Sequence, residues 1–249
     1  MIAATGVAAP MVAVVLAAAV LGAAVVRGYA GFGFAAIVLG IAALVTDPVP
    51  LIPVIFLLEI GMTAAQARSI RADVDWPRAL WLIGGAVVAM PLAIAVLLAL
   101  PEPAVRLAIS ALIGAMALLL LSGWTLHRPL PAPAHAAVGL VAGVANAAAV
   151  GGLPVAATLA AQPLRPAVFR ATMIAFLCAI DLVALPLMAL GGNVTGATFA
   201  LAALAAPLVG VGLWLGNRRF LLAPPAAFRR AATWLLLALS ALGLARGLA

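Results

Sequence analysis

The sequence is poor in charged residues and contains no lysine. Only 8% of its 249 residues are charged, whereas 68% are hydrophobic, and an average soluble domain has about 25% charged residues. Because so few charges cannot cover so much apolar surface in water, the composition predicts an integral membrane protein. The net charge of +7 comes from arginines placed singly or in pairs between apolar runs. This placement is typical of anchors at a membrane interface and does not favour nucleic-acid binding.

Cysteine and histidine are also scarce. The chain has one cysteine, Cys178, and two histidines, His127 and His135. An internal disulfide is therefore excluded, the spacing suits no metal site, and no cofactor is expected. The sequence also lacks the phosphate-binding loop, the zinc-protease helix and the nucleophile elbow, so we do not expect an enzyme. No positive charge precedes Arg27, which argues against a cleaved signal peptide and favours a first apolar run that remains as a helix.

Long apolar runs occupy most of the chain, and about 20 such residues suffice for a helix to cross a bilayer. Their pattern predicts an all-α, polytopic membrane protein with about eight transmembrane helices, if each of two interrupted runs crosses once. A re-entrant hairpin in place of either crossing would leave fewer spans and could make the two halves inverted. The runs lie at about 8–45 (interrupted at 27–34), 49–66, 76–100, up to 123, 137–162 (interrupted at 151–152), 167–190, 195–216 and 226–247.

A Pro-rich linker at 124–136 divides the chain into two similar halves, residues 1–123 and 137–249. The halves can be aligned so that Arg27 corresponds to Asn146, Gly33 to Gly152, and Glu59 to Asp181. Residue identity between them is low, so the alignment depends on the order of these landmarks. We expect two copies of one helical unit, each with a broken helix.

Glu59 and Asp181 are acidic residues deep inside apolar runs. A charge at the centre of a bilayer costs about 2.5–3.5 kcal/mol by insertion scales, so intramembrane acids are usually functional. One interpretation is that they handle protons or contact a substrate. The other is that each pairs with an arginine, such as Arg27 or Arg170, and holds helices together.

The interrupted runs carry clusters of glycine at corresponding positions in the two halves. Glycine destabilises a helix interior by about 1 kcal/mol relative to alanine, and unwound backbone at membrane depth survives only inside protein or beside a water-filled cavity. A helix that restarts after such a break offers free N–H groups and the positive end of its dipole to an anion. Arg27 adds a full positive charge beside the first break. The alternative is that these glycines serve close helix packing.

Two segments resemble the signatures of a known family. Residues 27–35, Arg-Gly-Tyr-Ala-Gly-Phe-Gly-Phe-Ala, resemble the first-repeat signature of the TauE/SafE family of sulfite exporters. Residues 151–154, Gly-Gly-Leu-Pro, followed by Arg-Pro at 165–166 and Arg-Ala-Thr at 170–172, resemble the second. The resemblance covers essentially the whole chain and implies a carrier of small anions in the bacterial inner membrane, usually acting outward. Leu153 stands where the family pattern has proline. This difference means that the resemblance identifies the fold but not the particular substrate.

Together these features predict a secondary transporter in the lipid bilayer that exports a small anion, namely sulfite or a small organosulfonate. Glu59 and Asp181 are expected to tune the site or carry a coupling proton. A passive anion channel and a membrane scaffold without transport are the alternatives, and a homodimer is left open. The predicted substrate-binding residues are Arg27, Gly28, Tyr29, Gly31, Gly33, Asn146, Gly151, Gly152, Pro154, Arg170 and Thr172.

Overall fold

The computed structural model describes residues 9–126 and 130–222 and the single positions 234, 237 and 241. Within these residues the chain forms nine α-helices and one short 3-10 turn, and no strand, which confirms the all-α class. The last predicted apolar run, 226–247, and His127 in the linker lie outside the described residues, apart from those three positions. The helices are α1 (Ala9–Ala30), α2 (Phe34–Val45), α3 (Ile52–Ile70), α4 (Trp76–Ala99), α5 (Glu102–Leu121), α6 (Ala132–Asn146), α7 (Gly152–Ala160), α8 (Pro166–Leu190) and α9 (Gly196–Leu222).

Six of the described helices are long and apolar enough to cross a membrane. They are α1, α4, α5, α8 and α9, together with α3 and the 3-10 turn before it. Their outer faces expose large apolar side chains, such as Leu190, Leu204 and Val88, which are 86%, 77% and 74% exposed. Such surfaces suit lipid, and the chain is a multi-pass membrane protein. The predicted total of eight spans is not confirmed, since α2 and α6 are shorter apolar helices and 226–247 lies outside the described part.

The helix bundle has two ends, which the connections between α3, α4 and α5 define. We call end 1 the end at which residues 71–75 join α3 to α4, and end 2 the end at which Leu100 and Pro101 join α4 to α5. At end 1 the Asp75 side chain accepts a hydrogen bond from the Arg78 backbone N–H at 3.2 Å, which caps the first turn of α4. At end 2 Pro101 precedes the first helical residue, where its missing N–H costs no helical bond.

The second interrupted run forms a hairpin that enters and leaves at end 1. Helix α6 runs in the same direction as α4, because Gly139 lies against Leu82 and Gly143 lies against Ala86. After the tip, α7 returns to end 1, where the Gln162 side chain lies 3.4 Å from the His135 ring in the first turn of α6. The Leu126 N–H also donates to the Ala161 carbonyl at 2.7 Å. Helices α6 and α7 therefore form a re-entrant unit in place of a single crossing.

The first interrupted run forms the corresponding hairpin from end 2. Helix α1 runs in the same direction as α9, with Ala24 against Gly212 and Gly28 against Gly216, and α9 starts at end 2 after the turn that follows α8. Helix α2 then returns to end 2, where the Arg106 guanidinium of α5 donates to the Ala43 carbonyl at 2.7 Å. The two hairpins thus enter the bundle from opposite ends.

Glycines bring each hairpin into close backbone contact with a spanning helix. A Cβ atom at Gly139 or Gly143 of α6 would overlap backbone atoms of α4, and one at Gly216 of α9 would overlap the Val25 carbonyl of α1. A Cβ at Gly28 would stand 2.7 Å from the Leu213 carbonyl. Gly28, predicted to bind substrate, therefore lies in the contact between α1 and α9, as the packing interpretation expects.

Candidate functional site

The tip of the first hairpin is a three-residue break between α1 and α2. Gly31 and Gly33 have φ angles of +83° and +96°, in the left-handed region that favours glycine. A Cβ at Gly31 would also stand only 3.0 Å from the backbone carbonyl oxygen of Arg170. Both glycines are therefore needed for the backbone to reverse here, which explains why the apolar run breaks at this position.

The tip of the second hairpin connects α6, which ends at Asn146, to α7, which begins at Gly152. Ala149 has a φ angle of +54°, where a residue with a Cβ is strained by about 1–2 kcal/mol. A Cβ at Gly151 would approach the Ala142 carbonyl and the Asn146 side chain to 2.6 Å each. The chain doubles back so tightly on α6 that Gly151 tolerates no side chain.

The two tips meet at a small cavity. It contains about 10 Å³ of space, roughly what one water molecule requires. Of the predicted site residues, Gly33, Gly152 and Glu59 line it directly. The remaining lining residues come from the first turns of α2 and α7, from the second tip and from α8; they are Ala35, Ala36, Ala149, Val150, Leu153 and Leu177.

Both returning helices point their N-termini at this cavity without a side-chain cap. Neither Gly33 before α2 nor Gly151 before α7 provides a capping hydrogen bond. The first backbone N–H groups of a helix have no partner within the helix, so a buried, uncapped end presents donors to whatever occupies the space. At α2 the Ala35 N–H is directed at the Glu59 carboxylate. Two positive helix ends therefore converge here.

Arg27 is completely buried in the last turn of α1. Its guanidinium donates to the Gly31 carbonyl and, at 3.3 Å, to the Thr63 hydroxyl. Its Nε lies 3.6 Å from Glu59 Oε1 and makes no hydrogen bond within the described residues. The charge that the sequence places beside the first break is thus paired with Glu59 across α1 and α3.

Glu59 and Asp181 come together from α3 and α8, and both are buried. Their carboxyl groups interact directly with each other. Asp181 Oδ1 accepts from the Asn146 amide at 3.4 Å, while Asp181 Oδ2 and Asn146 Oδ1 are buried without a hydrogen-bond partner among the described residues. Arg27, Glu59, Asp181 and Asn146 therefore form one polar cluster that joins both hairpins to α3 and α8, and that leaves hydrogen-bonding capacity unused.

Arg170 lies beside this cluster and binds a different set of groups. Its guanidinium donates to the Gly28 carbonyl at 3.1 and 2.6 Å and also to the Asn217 side chain, which accepts a second hydrogen bond from Gln66 at 2.8 Å. Arg170 thereby ties the end of α1 to α3, α8 and α9 near end 1. It does not line the cavity.

The other predicted residues have structural contacts of their own. The Thr172 hydroxyl accepts from the Asp75 backbone N–H at 3.0 Å and anchors the α3–α4 loop. Pro154 is buried in the first turn of α7, where its carbonyl accepts from Thr158 at 2.9 Å. Tyr29 is buried at the end of α1. In the described part of the chain, no three His, Cys, Asp or Glu side chains come together in a way that could hold a metal ion.

A family model described as Sulfite exporter TauE/SafE matches residues 15–243. The chain belongs to this family. Neither the curated proteins nor the solved structures contain a significant match to it. As a TauE/SafE member, the chain is a membrane protein of a transporter family, and its two hairpin tips are the segments that resembled the family's repeat signatures.

Several residues of this TauE/SafE site were not predicted from the sequence. Thr63 lies one helical turn after Glu59 and could have been found from that spacing. Ala149 could not, because nothing in a run of alanines marks a left-handed residue. Asn217 and Gln66, which complete the Arg170 contacts, are ordinary polar residues near helix ends in the sequence. Only the fold brings them together.

Proposed function

We propose that this chain is a secondary transporter that exports a small anion, sulfite or a small organosulfonate, across the bacterial inner membrane. Two uncapped helix N-termini converge on one small cavity, and Glu59, which lines it, is paired with the buried Arg27; this arrangement is the observation that carries the proposal. Each element favours negative charge, and charge-assisted bonds from arginine and backbone N–H groups are the usual means of binding an oxyanion. In the proposed bound state, the anion takes the place of Glu59 beside Arg27.

The cavity is too small for any anion larger than water, which supports an alternating carrier over an open channel. The space of about 10 Å³ must expand before a sulfonate can enter. The hairpins enter from opposite ends, and their packing is reciprocal, with α1 against α9 and α6 against α4. Such an arrangement supports two inverted repeats, in which movement of one hairpin opens the site to one side of the membrane at a time.

The distribution of arginines supports an orientation with end 1 in the cytoplasm. Among the described residues near end 1 are Arg68, Arg71, Arg165 and Arg218, whereas the described part of end 2 carries Arg106. Cytoplasmic loops are enriched in arginine and lysine. Four exposed tryptophans, at 76, 81, 124 and 214, also lie towards end 1, as expected of an interfacial belt.

Cysteine labelling tests the hairpin that this orientation requires. In a Cys178→Ser background, cysteines at Trp124 and Arg165 should react from the same side of the membrane, because α6 and α7 return to end 1. A cysteine at Thr195 should react from the other side. A membrane-impermeant thiol reagent applied to whole cells and to inverted vesicles measures this. Opposite labelling of positions 124 and 165 would show that the α6–α7 segment crosses the membrane.

Flux through purified protein in proteoliposomes tests the proposed function. We expect uptake of sulfite and of methanesulfonate to exceed that of empty liposomes, to saturate with concentration and to be competed by other small sulfonates. Glu102→Gln, which breaks the partly exposed pair with Arg106, should transport like the wild type. Linear, non-saturating flux would contradict a carrier and indicate a pore, and flux no higher than in empty liposomes for every small anion would contradict transport.

A further inference from the structure

We propose that Glu59 and Asp181 act as one proton-binding unit, so that the site takes up a monovalent anion together with one proton. This inference rests on the proposed function and adds its coupling and the charge of its substrate. It depends on the contact between the two carboxyl groups, on their burial, and on Arg27, the cation that they share among the described residues.

The charges of the cluster balance only when one proton is present. Arg27 contributes one positive charge and the two carboxyls up to two negative charges, with side chains of Arg27 and Glu59 only 0% and 3% exposed. Two carboxylates in direct contact cannot both ionise cheaply in a buried site, so one proton stays between them. That proton also turns one carboxyl into a donor, which supplies a hydrogen bond inside a cluster where Asp181 Oδ2 has no other partner among the described residues.

The groups around the two acids do not change this balance of charges. Cys178 on α8 lies near the two acids and Arg27, and a thiol carries no charge in its ordinary protonated form. Asn146 on α6 and Thr63 on α3 are neutral. The positive charge of Arg170 is close enough to be felt by Arg27, but its guanidinium is held by the Gly28 carbonyl and Asn217. Among the described groups in direct contact with the pair, Arg27 is the cation.

Binding of an anion to Arg27 changes the charge balance of the cluster. An anion on Arg27 displaces the ionised carboxyl from its cation, and a buried carboxylate without a partner is costly. The displaced carboxylate gains a proton, so that both acids are neutral while Arg27 pairs with the anion. One proton and one negative charge enter together, and both leave when the anion is released. The site remains neutral throughout with a monoanion, whereas a dianion would leave one uncompensated negative charge.

Two consequences distinguish this coupling from simple anion binding. Since a monoanion and a proton carry no net charge, their joint flux should not respond to membrane potential. The flux should respond to a pH gradient, because each proton that moves down its gradient carries an anion in the same direction. An exporter of this kind works down the concentration gradient of an anion that is produced inside the cell, with a proton leaving alongside each anion.

Proton uptake on binding gives the direct test, with methanesulfonate as the probe because it keeps a single negative charge across the accessible pH range. Wild-type protein in weakly buffered detergent, followed with a pH indicator, should take up about one proton per methanesulfonate bound. Glu102→Gln should do the same. The double variant Glu59→Gln with Asp181→Asn should bind methanesulfonate without proton uptake. Asp181→Asn alone should retain uptake, since Glu59 can still accept the proton.

A second measurement needs only the wild type, so it stands even if the double variant does not fold. The dissociation constant of methanesulfonate should rise about tenfold for each pH unit on the alkaline side, as one-proton linkage requires. Flux in liposomes should follow an imposed pH gradient and ignore a potassium diffusion potential. Binding without proton uptake, or flux that follows voltage, would overturn the coupling and leave the transporter intact. Wild-type protein that binds no small anion would instead contradict the proposed function.

Discussion

Replacement of Arg27 by glutamine is expected to abolish anion transport and to destabilise the protein. The substitution removes the cation that pairs with Glu59 at 3.6 Å inside the bundle. Loss of one partner of a buried ion pair typically costs about 3–5 kcal/mol, because the other charge is left uncompensated. Loss of the charge-assisted contact to the anion should weaken binding by about 2 kcal/mol or more, roughly 30-fold. Thermal unfolding in detergent and methanesulfonate binding measure the two effects.

A second substitution separates these two effects. In the double variant Arg27→Gln with Glu59→Gln, the uncompensated carboxylate is gone and Asp181 can stay protonated and neutral. We expect stability to recover to within about 1 kcal/mol of the wild type, as is often found when both members of a buried pair are replaced. Transport should remain absent, because the variant lacks the cation that contacts the acids in the described part of the chain. A folded double variant with wild-type flux would show that Arg27 has only a structural role.

The matched control for both variants is the pair between Arg106 and Glu102 at end 2. The Glu102 side chain is 39% exposed, so water already solvates it. Exposed pairs contribute about 0–1 kcal/mol, and Glu102→Gln should therefore change stability little. If this variant lost as much stability as Arg27→Gln, burial could not be the reason for the Arg27 effect.

The broken helices and the buried acids could be predicted from the sequence because their residues differ from the apolar residues around them. Glycines at 31 and 33 interrupt an otherwise apolar helix, and the structure shows a break there with positive φ angles. Glu59 and Asp181 stand alone in apolar runs, and both prove to be buried. The contact between Arg27 and Glu59 was one of the two interpretations weighed, since a buried charge requires a partner.

The path of the chain at each break could not be predicted in the same way. Hydropathy shows that a segment is apolar. A helix that crosses the membrane and a hairpin that returns can have the same hydropathy. The return of α7 to end 1 depends on tertiary contacts, such as that between Gln162 and His135, which are distant in sequence. The role of Gly28 likewise depends on α9, which is brought to α1 from the other half of the chain.

Gly85 and Gly84 on α4 offer the sharpest test of how the second hairpin is held. The two residues are adjacent, yet they face different surroundings. A Cβ at Gly85 would overlap the Ala136 carbonyl of α6 and stand 2.9 Å from the Leu140 nitrogen, whereas a Cβ at Gly84 would meet no described atom within 4 Å. Backbone atoms cannot rotate away as a flexible side chain could, so an added methyl group at Gly85 must separate α4 from α6.

We therefore expect Gly85→Ala to lower stability by about 1–3 kcal/mol through overpacking, and Gly84→Ala to raise it by about 1 kcal/mol through helix propensity. Unfolding of both variants in detergent measures the difference. Transport should also fall in Gly85→Ala, because displacement of α6 moves Asn146 at its far end away from Asp181 and opens the buried cluster. Equal stability of the two variants would mean that α6 is free to shift along α4. The position of the hairpin tip and of the polar cluster would then not depend on this contact.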